Sequence, residues 1–273
     1  MRWRDQQQST NVEDRRGMGR GVALGGGGLG VLILAAIVCL LGGDPRQFLE
    51  GNMPQDIQPP SVSNSANQAA DENKQFVSVV MASTEEAWGQ ILPQQARRNY
   101  IRPKLVLYSG QTSTACGYGQ AAMGPFYCPG DQNVYLDFAF FQELRQEFKA
   151  PGDFAQAYVI AHEVGHHVQN LLGTMDKVQR AGQNNQLSVA LELQADCYAG
   201  VWANYAAKKG IVEPGDADEA LKAASAVGDD MIQKRTQGYV VPESFTHGSA
   251  AQRQKAFAIG MQYGNLQQCE VFK

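Results

Sequence analysis

The hydrophobic pattern divides this chain into long helical stretches and two short alternating runs. From Phe154 to Leu171, the residues Phe154, Tyr158, Val159, Ile160, Val164, Val168 and Leu171 cover most of a helical circumference. A helix apolar nearly all round is a buried one. Asp153 precedes it as N-cap with Gln156 as capping-box partner, and Gly173 marks its end. A second helical pattern runs from Ser188 to about Lys209 and stops at Gly210, with Leu191, Leu193, Ala195 and Trp202 among its apolar positions. Further helices are predicted near Asp216–Gln237 and Ser249–Tyr263, and an apolar stripe runs from Phe76 through Trp88 and Leu92. Lys104–Tyr108 reads as a strand after Pro103. Asn133–Phe138 alternates, with Val134, Leu136 and Phe138 on one face and Tyr135 and Asp137 on the other, as a half-buried strand does. There is no internal repeat. The fold class is α+β, mainly helical with a small sheet.

Near the N-terminus the pattern changes. Val22 to Leu41 carries no charge, and about 20 apolar residues span a bilayer. Arg2, Arg4, Arg15, Arg16 and Arg20 precede this run, whereas only Arg46 closely follows it. The positive-inside rule then places the N-terminus in the cytoplasm and the remainder outside. A cleaved signal peptide is the rival reading, but Leu40-Leu41-Gly42-Gly43 offers no good small-x-small site. The expected organisation is a cytoplasmic tail at 1–20, one transmembrane helix at 21–43, a flexible Pro-, Gln-, Asn- and Ser-rich linker at 44–73, and a globular domain at 74–273.

Charge excludes some partners. The net charge of −4 comes with no basic patch, and the Gly25–Gly28 run lacks the Lys and Ser/Thr of a phosphate loop. Neither nucleic acid nor nucleotide is an expected partner.

The chemistry concentrates in the apolar helix, which carries His162-Glu163-Val164-Gly165-His166. Two histidines four residues apart on a helix lie one turn above each other, so both can reach one metal ion. Glu163 sits about 100° round the helix from His162, where it can serve a metal-activated water as general base without being a ligand. Gly165 costs about 1 kcal/mol against Ala in a helix interior, which makes sense if something packs closely beside the metal. His167 points away from the other two and reads as supporting or surface. Downstream, Glu192 and Asp196 are two acids on one face of an otherwise apolar helix. A catalytic zinc site holds three protein ligands and leaves one position open. Glu192 supplies the third, and Asp196 accepts from the free ring N–H of a liganding histidine, His162 in the first instance; the two acids could exchange roles.

The H-E-V-G-H and E-L-Q-A-D motifs resemble the gluzincin pattern of metallopeptidases. Cys116-Gly117, Gly124–Pro129, Val134–Asp137, Phe154–Ile160 and Thr246–Ser249 extend the resemblance to the bacterial putative neutral zinc metallopeptidase family, over most of the chain. It implies a zincin-like domain, one Zn²⁺ per chain, a membrane anchor and a peptide or protein substrate. It also makes 133–138 a candidate edge strand to which an extended peptide adds by backbone hydrogen bonds, with an ordinary sheet strand as the competing reading. His247, in a loop before a helix that Ser249 could cap, is the one histidine outside the zinc motif and the candidate donor to a developing oxyanion; a capping or surface role is its alternative.

Of five cysteines, Cys39 lies in the apolar run and four lie beyond it, an even number suited to an oxidising compartment. Cys116 and Cys128 flank a Gly-rich loop as a local pair, which leaves Cys197 and Cys269 for each other; free buried cysteines are the alternative. The reading is therefore a zinc endopeptidase anchored in the bacterial cytoplasmic membrane, single-pass, with its catalytic domain on the outer side. Two alternatives remain: a zinc-binding envelope scaffold without proteolytic activity, and hydrolysis of a non-peptide amide.

Overall fold

A computed structural model describes residues 1–17, 64–182 and 184–272. The chain divides into two units, one of Met1–Asp14 with Asn73–Lys273 and one of Arg15–Glu72. The expected transmembrane helix at 21–43 and most of the linker lie outside the described residues, among which no helix is long and apolar enough to cross a membrane.

The first unit is built on a four-stranded sheet, order β1-β2-β6-β5: β1 Val12–Asp14, β2 Lys104–Tyr108, β6 Asn133–Asp137 and β5 Phe126–Cys128. β1–β2 and β2–β6 are parallel, with Val12 opposite Leu105 and Leu105 opposite Val134. β5 is antiparallel to β6, with Phe126 opposite Tyr135. A separate hairpin joins β3 Gln111–Thr114 to β4 Gly117–Gln120. Helices follow in the order α1 Asn64–Ala96, α2 Ala139–Gln146, α3 Asp153–Leu171, α4 Thr174–Ala181, α5 Asn185–Lys208, α6 Asp216–Ala226, α7 Asp229–Gln237 and α8 Ala250–Tyr263. The class is mainly helical α+β, as the periodicity predicts.

Three expectations are corrected. The first fourteen residues, read as part of a separate tail, belong to the folded unit: they add β1 to the sheet and bury Met1 and Trp3. The strand at 133–137 is interior, between β2 and β5, and both of its faces are covered. Tyr135 stacks on Phe126 at 4.9 Å, and its hydroxyl donates to Asp131. The edge is β5. Asp153 is also not the cap of α3 but its first residue. Gly152 at φ 125° occupies the cap, a conformation that only glycine adopts freely. The Gln156 amide reaches back to the Gly152 carbonyl, and the Asp153 carboxylate accepts from the Met1 amino group at 2.7 Å.

The remaining helix signals hold. Gly173 and Gly210 take positive φ just past α3 and α5. Ser249 and Gln252 form a capping box at the start of α8. The stretch 216–237 is two helices, broken at Gly228, which takes an extended conformation as the cap of α7; a Cβ there would run into the Ala250 backbone. Disulfides join Cys116 to Cys128 and Cys197 to Cys269. In the chain-entropy model they constrain the unfolded chain by about 3 and about 4 kcal/mol respectively. The first ties the hairpin turn to β5; the second ties α5 to the C-terminal segment.

Candidate metal centre

The site forms where α3 and α5 pack against each other, and glycine decides how closely. A Cβ on Gly165 would lie 2.9 Å from the Ala195 carbonyl oxygen, so the small residues on both helices let their backbones meet beside the histidines. On the other side of α5, a Cβ on Gly200 or Gly260 would overlap the facing backbone of α8 or α5. α8 therefore lies directly against the ligand helix.

This packing brings His162, His166 and Glu192 together, their ligand atoms all within 4.8 Å of one another. His162 Nε2 is 3.2 Å from Glu192 Oε2, and His166 Nε2 is 3.3 Å from Glu192 Oε1. Ligands held about 2.0–2.2 Å from a tetrahedral Zn²⁺ stand roughly 3.3 Å apart, so the donor set and its spacing fit the ion. Each imidazole is oriented through its other nitrogen: His162 Nδ1 meets Asp196 Oδ1 at 2.8 Å, and His166 Nδ1 meets Gln169 Oε1 at 2.9 Å. Donation from both Nδ1 atoms leaves both Nε2 lone pairs for a metal. Glu192 is the acid that faces the Nε2 atoms and Asp196 the one behind His162, the order favoured by the sequence reading over its exchange.

Asp196 is completely buried and is met on three sides. Arg253 of α8 donates Nε to Oδ2 at 2.8 Å and Nη2 to Oδ1 at 3.0 Å. The Tyr158 hydroxyl donates a short hydrogen bond to Oδ1. Arg253 Nη2 also lies 4.0 Å from Glu192 Oε2. Sequence spacing does not reveal Arg253, Tyr158 or Gln169 as site residues; the one available signal was a lone arginine on the face of α8 that carries Ala256, Phe257 and Gly260.

Burial opposes charge throughout the cluster, and the partners decide each outcome. The Asp196 and Glu192 carboxylates push His162 up to about 10 despite its burial, and His166 moves up in the same direction. The facing imidazoles hold Glu192 well below the usual carboxylate range, while Arg253 and His162 hold Asp196 down. Glu163 behaves differently. Burial pushes its carboxyl up, against the pull of the two histidines, which gives it a greater proton affinity than an exposed glutamate.

The cluster forms the floor of an open cleft of ≈ 660 Å³. Its lining also includes Met123, Phe126, Tyr127 and Phe140 together with Val227, Ile232 and His247. His247 Nδ1 lies 3.2 Å from Asp229 Oδ1, and Asp229 Oδ2 accepts from the backbone N–H groups of Thr246, His247 and Gly248. That bond to Asp229 raises the His247 pKa and leaves Nε2 as the ring nitrogen available to the cleft. The expected His247 candidate therefore lines the cleft with its side chain 53% exposed, so the surface alternative stands beside the catalytic one, while the cap of α8 is Ser249. His167 is buried and binds outward from the metal: Nε2 donates to the Ile101 carbonyl at 2.6 Å and Nδ1 accepts from the Tyr127 hydroxyl at 3.0 Å. With Asn170, which also donates to that hydroxyl, it fastens edge strand β5 to α3.

His162, His166 and Glu192, on two helices under a cleft with Glu163 beside them, form a donor set that could hold one metal ion. The family described as putative neutral zinc metallopeptidase matches residues 1–272, and the chain belongs to it. An Escherichia coli K12 relative, described as uncharacterized protein YpfJ, is 46% identical over 287 residues, covering 100% of this chain and 99% of its own. The uncharacterized protein Rv2575 of Mycobacterium tuberculosis H37Rv is 44% identical over 252 residues, covering 85% of this chain and 84% of its own. No solved structure matches the chain.

Proposed function

We propose that the protein is a zinc-dependent endopeptidase. The observation that carries this reading is the convergence of His162 Nε2, His166 Nε2 and the Glu192 carboxylate at the floor of a cleft that Glu163 also lines. When bound, Zn²⁺ supplies Lewis-acid chemistry, polarising a carbonyl and easing the ionisation of water. Glu163 takes the proton of the attacking water and delivers it to the departing amine, a role favoured by its raised proton affinity. His247, held by Asp229, donates from Nε2 to the oxygen of the carbonyl under attack. Edge strand β5 receives the substrate backbone, because it ends the sheet beside the cleft and Phe126 and Tyr127 line that cleft. The apolar walls suit large hydrophobic side chains. The two disulfides favour an oxidising, extracytoplasmic location for the domain.

The test compares the zinc-loaded full-length protein with its Glu163→Gln variant on a mixed peptide library. Cleavage by the parent alone, at equal zinc content, supports the reading. Equal zinc binding with cleavage by neither would abandon it in favour of a zinc-binding scaffold or a non-peptide amide as substrate.

A further inference from the structure

The first fourteen residues are held in the domain by contacts along their whole length. The Met1 amino group meets Asp153 at 2.7 Å and Asp216 at 3.2 Å, and the Arg2 N–H donates to the Ile211 carbonyl. Trp3 is buried edge-on against Phe76, ring centres 5.5 Å apart. The Ser9 hydroxyl and the Asn11 amide both donate to the buried Glu85 carboxylate. β1 then pairs with β2 in the parallel sheet. At its end, Asp14 Oδ2 lies 3.3 Å from Lys74 Nζ, so the chain leaves this unit and re-enters it at adjacent points.

That closure constrains how the chain can meet a membrane. If positions 14 and 74 share a compartment, the chain between them crosses a bilayer an even number of times or not at all. It holds one apolar run of spanning length, Val22 to Leu41. The part that would have to return carries Asp44, Arg46, Glu50, Asp56, Asp71 and Glu72, with Pro45, Pro54, Pro59 and Pro60. Charges and prolines of that density do not recross hydrocarbon. The arginine bias that argues for a single crossing is also weaker than its count suggests. Arg2 is paired with Glu213 at 3.2 Å and Arg4 lies over the Trp3 ring at 4.5 Å, so both charges serve the domain.

We propose that residues 1–14 and the metal-binding domain occupy the same compartment, so that a single bilayer crossing between them, as the arginine bias suggested, is ruled out. This stands apart from the catalytic reading and survives its failure.

Two single-cysteine reporters in the full-length chain, Gln7→Cys and Lys255→Cys, each combined with Cys39→Ser, test it with a membrane-impermeant maleimide. Both positions are exposed. They are expected to label in parallel, together in intact cells or together only after lysis. Labelling of one alone in intact cells, or recovery of the domain without residues 1–14, overturns the proposal. Independently, Trp3→Ala in the full-length protein is expected to lower Tm by about 10 °C; an unchanged Tm would show that the segment is not part of the fold.

Discussion

Arg253 holds Asp196 from behind: its Nε and Nη2 reach Oδ2 and Oδ1 at 2.8 and 3.0 Å, across a separation of 57 residues and fully inside the protein. Removing one member of a buried pair strands the other charge. Arg253→Met is therefore expected to cost about 3–5 kcal/mol of stability. Because Asp196 orients His162, zinc affinity should fall about 10–100-fold. Urea unfolding and chelator competition measure the two effects separately. An unchanged zinc affinity in a variant that remains folded would remove Arg253 from the support of the site.

Zinc binding should release protons. His162, pushed up to about 10 by its carboxylate neighbours, is protonated at neutral pH until Nε2 is needed by the ion, and His166 is raised in the same direction by Glu192. Protons and zinc then compete, so affinity rises with pH below the two histidine pKa values. Titration calorimetry at pH 7 in buffers of different ionisation enthalpy should give at least about one proton released per zinc. Release of none would mean that both Nε2 atoms are already bare.

Gly165→Ala tests the contact between helices. The added Cβ would lie 2.9 Å from the Ala195 carbonyl, an atom of backbone that cannot rotate aside. Overpacking of this kind costs about 1–3 kcal/mol, and forcing α5 away should weaken zinc binding as well. Gly89→Ala on α1, where nothing lies within 4 Å of the new methyl, should instead stabilise by up to about 1 kcal/mol. Denaturation midpoints of the two variants are expected to move in opposite directions.

The Asp229–His247 pair predicts a pH window. Donating a hydrogen bond to Asp229 raises His247 above its ordinary 6.5, so its contribution is complete below pH 6.5 and is lost as pH rises through the raised value. Burial works against the Asp229 charge, but His247 and the loop N–H groups hold its pKa below 3.8; that contribution is complete above pH 3.8 and is lost as pH falls through the lowered value. The stability difference between the parent and Asp229→Asn should therefore be largest between pH 3.8 and 6.5 and shrink on both sides. If His247 also serves the reaction, His247→Ala should lower kcat about 10²–10³-fold with zinc content unchanged.

Features set by neighbours along the chain could be read without coordinates. The i, i+4 spacing of His162 and His166, and again of Glu192 and Asp196, follows from helix geometry, and each pair arrives on one face once its helix forms. The glycine stops and the Ser249 cap were legible for the same reason, since their hydrogen bonds close within a few residues, and the strand at 104–108 was legible from its apolar run after Pro103. The tertiary structure alone decided what depends on distant partners. It made β5 an edge and β6 interior because β2 took the other side of β6. It brought Arg253 to Asp196 because Gly200 and Gly260 let α8 touch α5. It also took residues 1–14 into the sheet, because Trp3 and β1 find their partners more than seventy residues downstream. A polar, arginine-rich stretch carries no local sign of that destination, since its stability comes from surfaces that exist only after the remainder has folded.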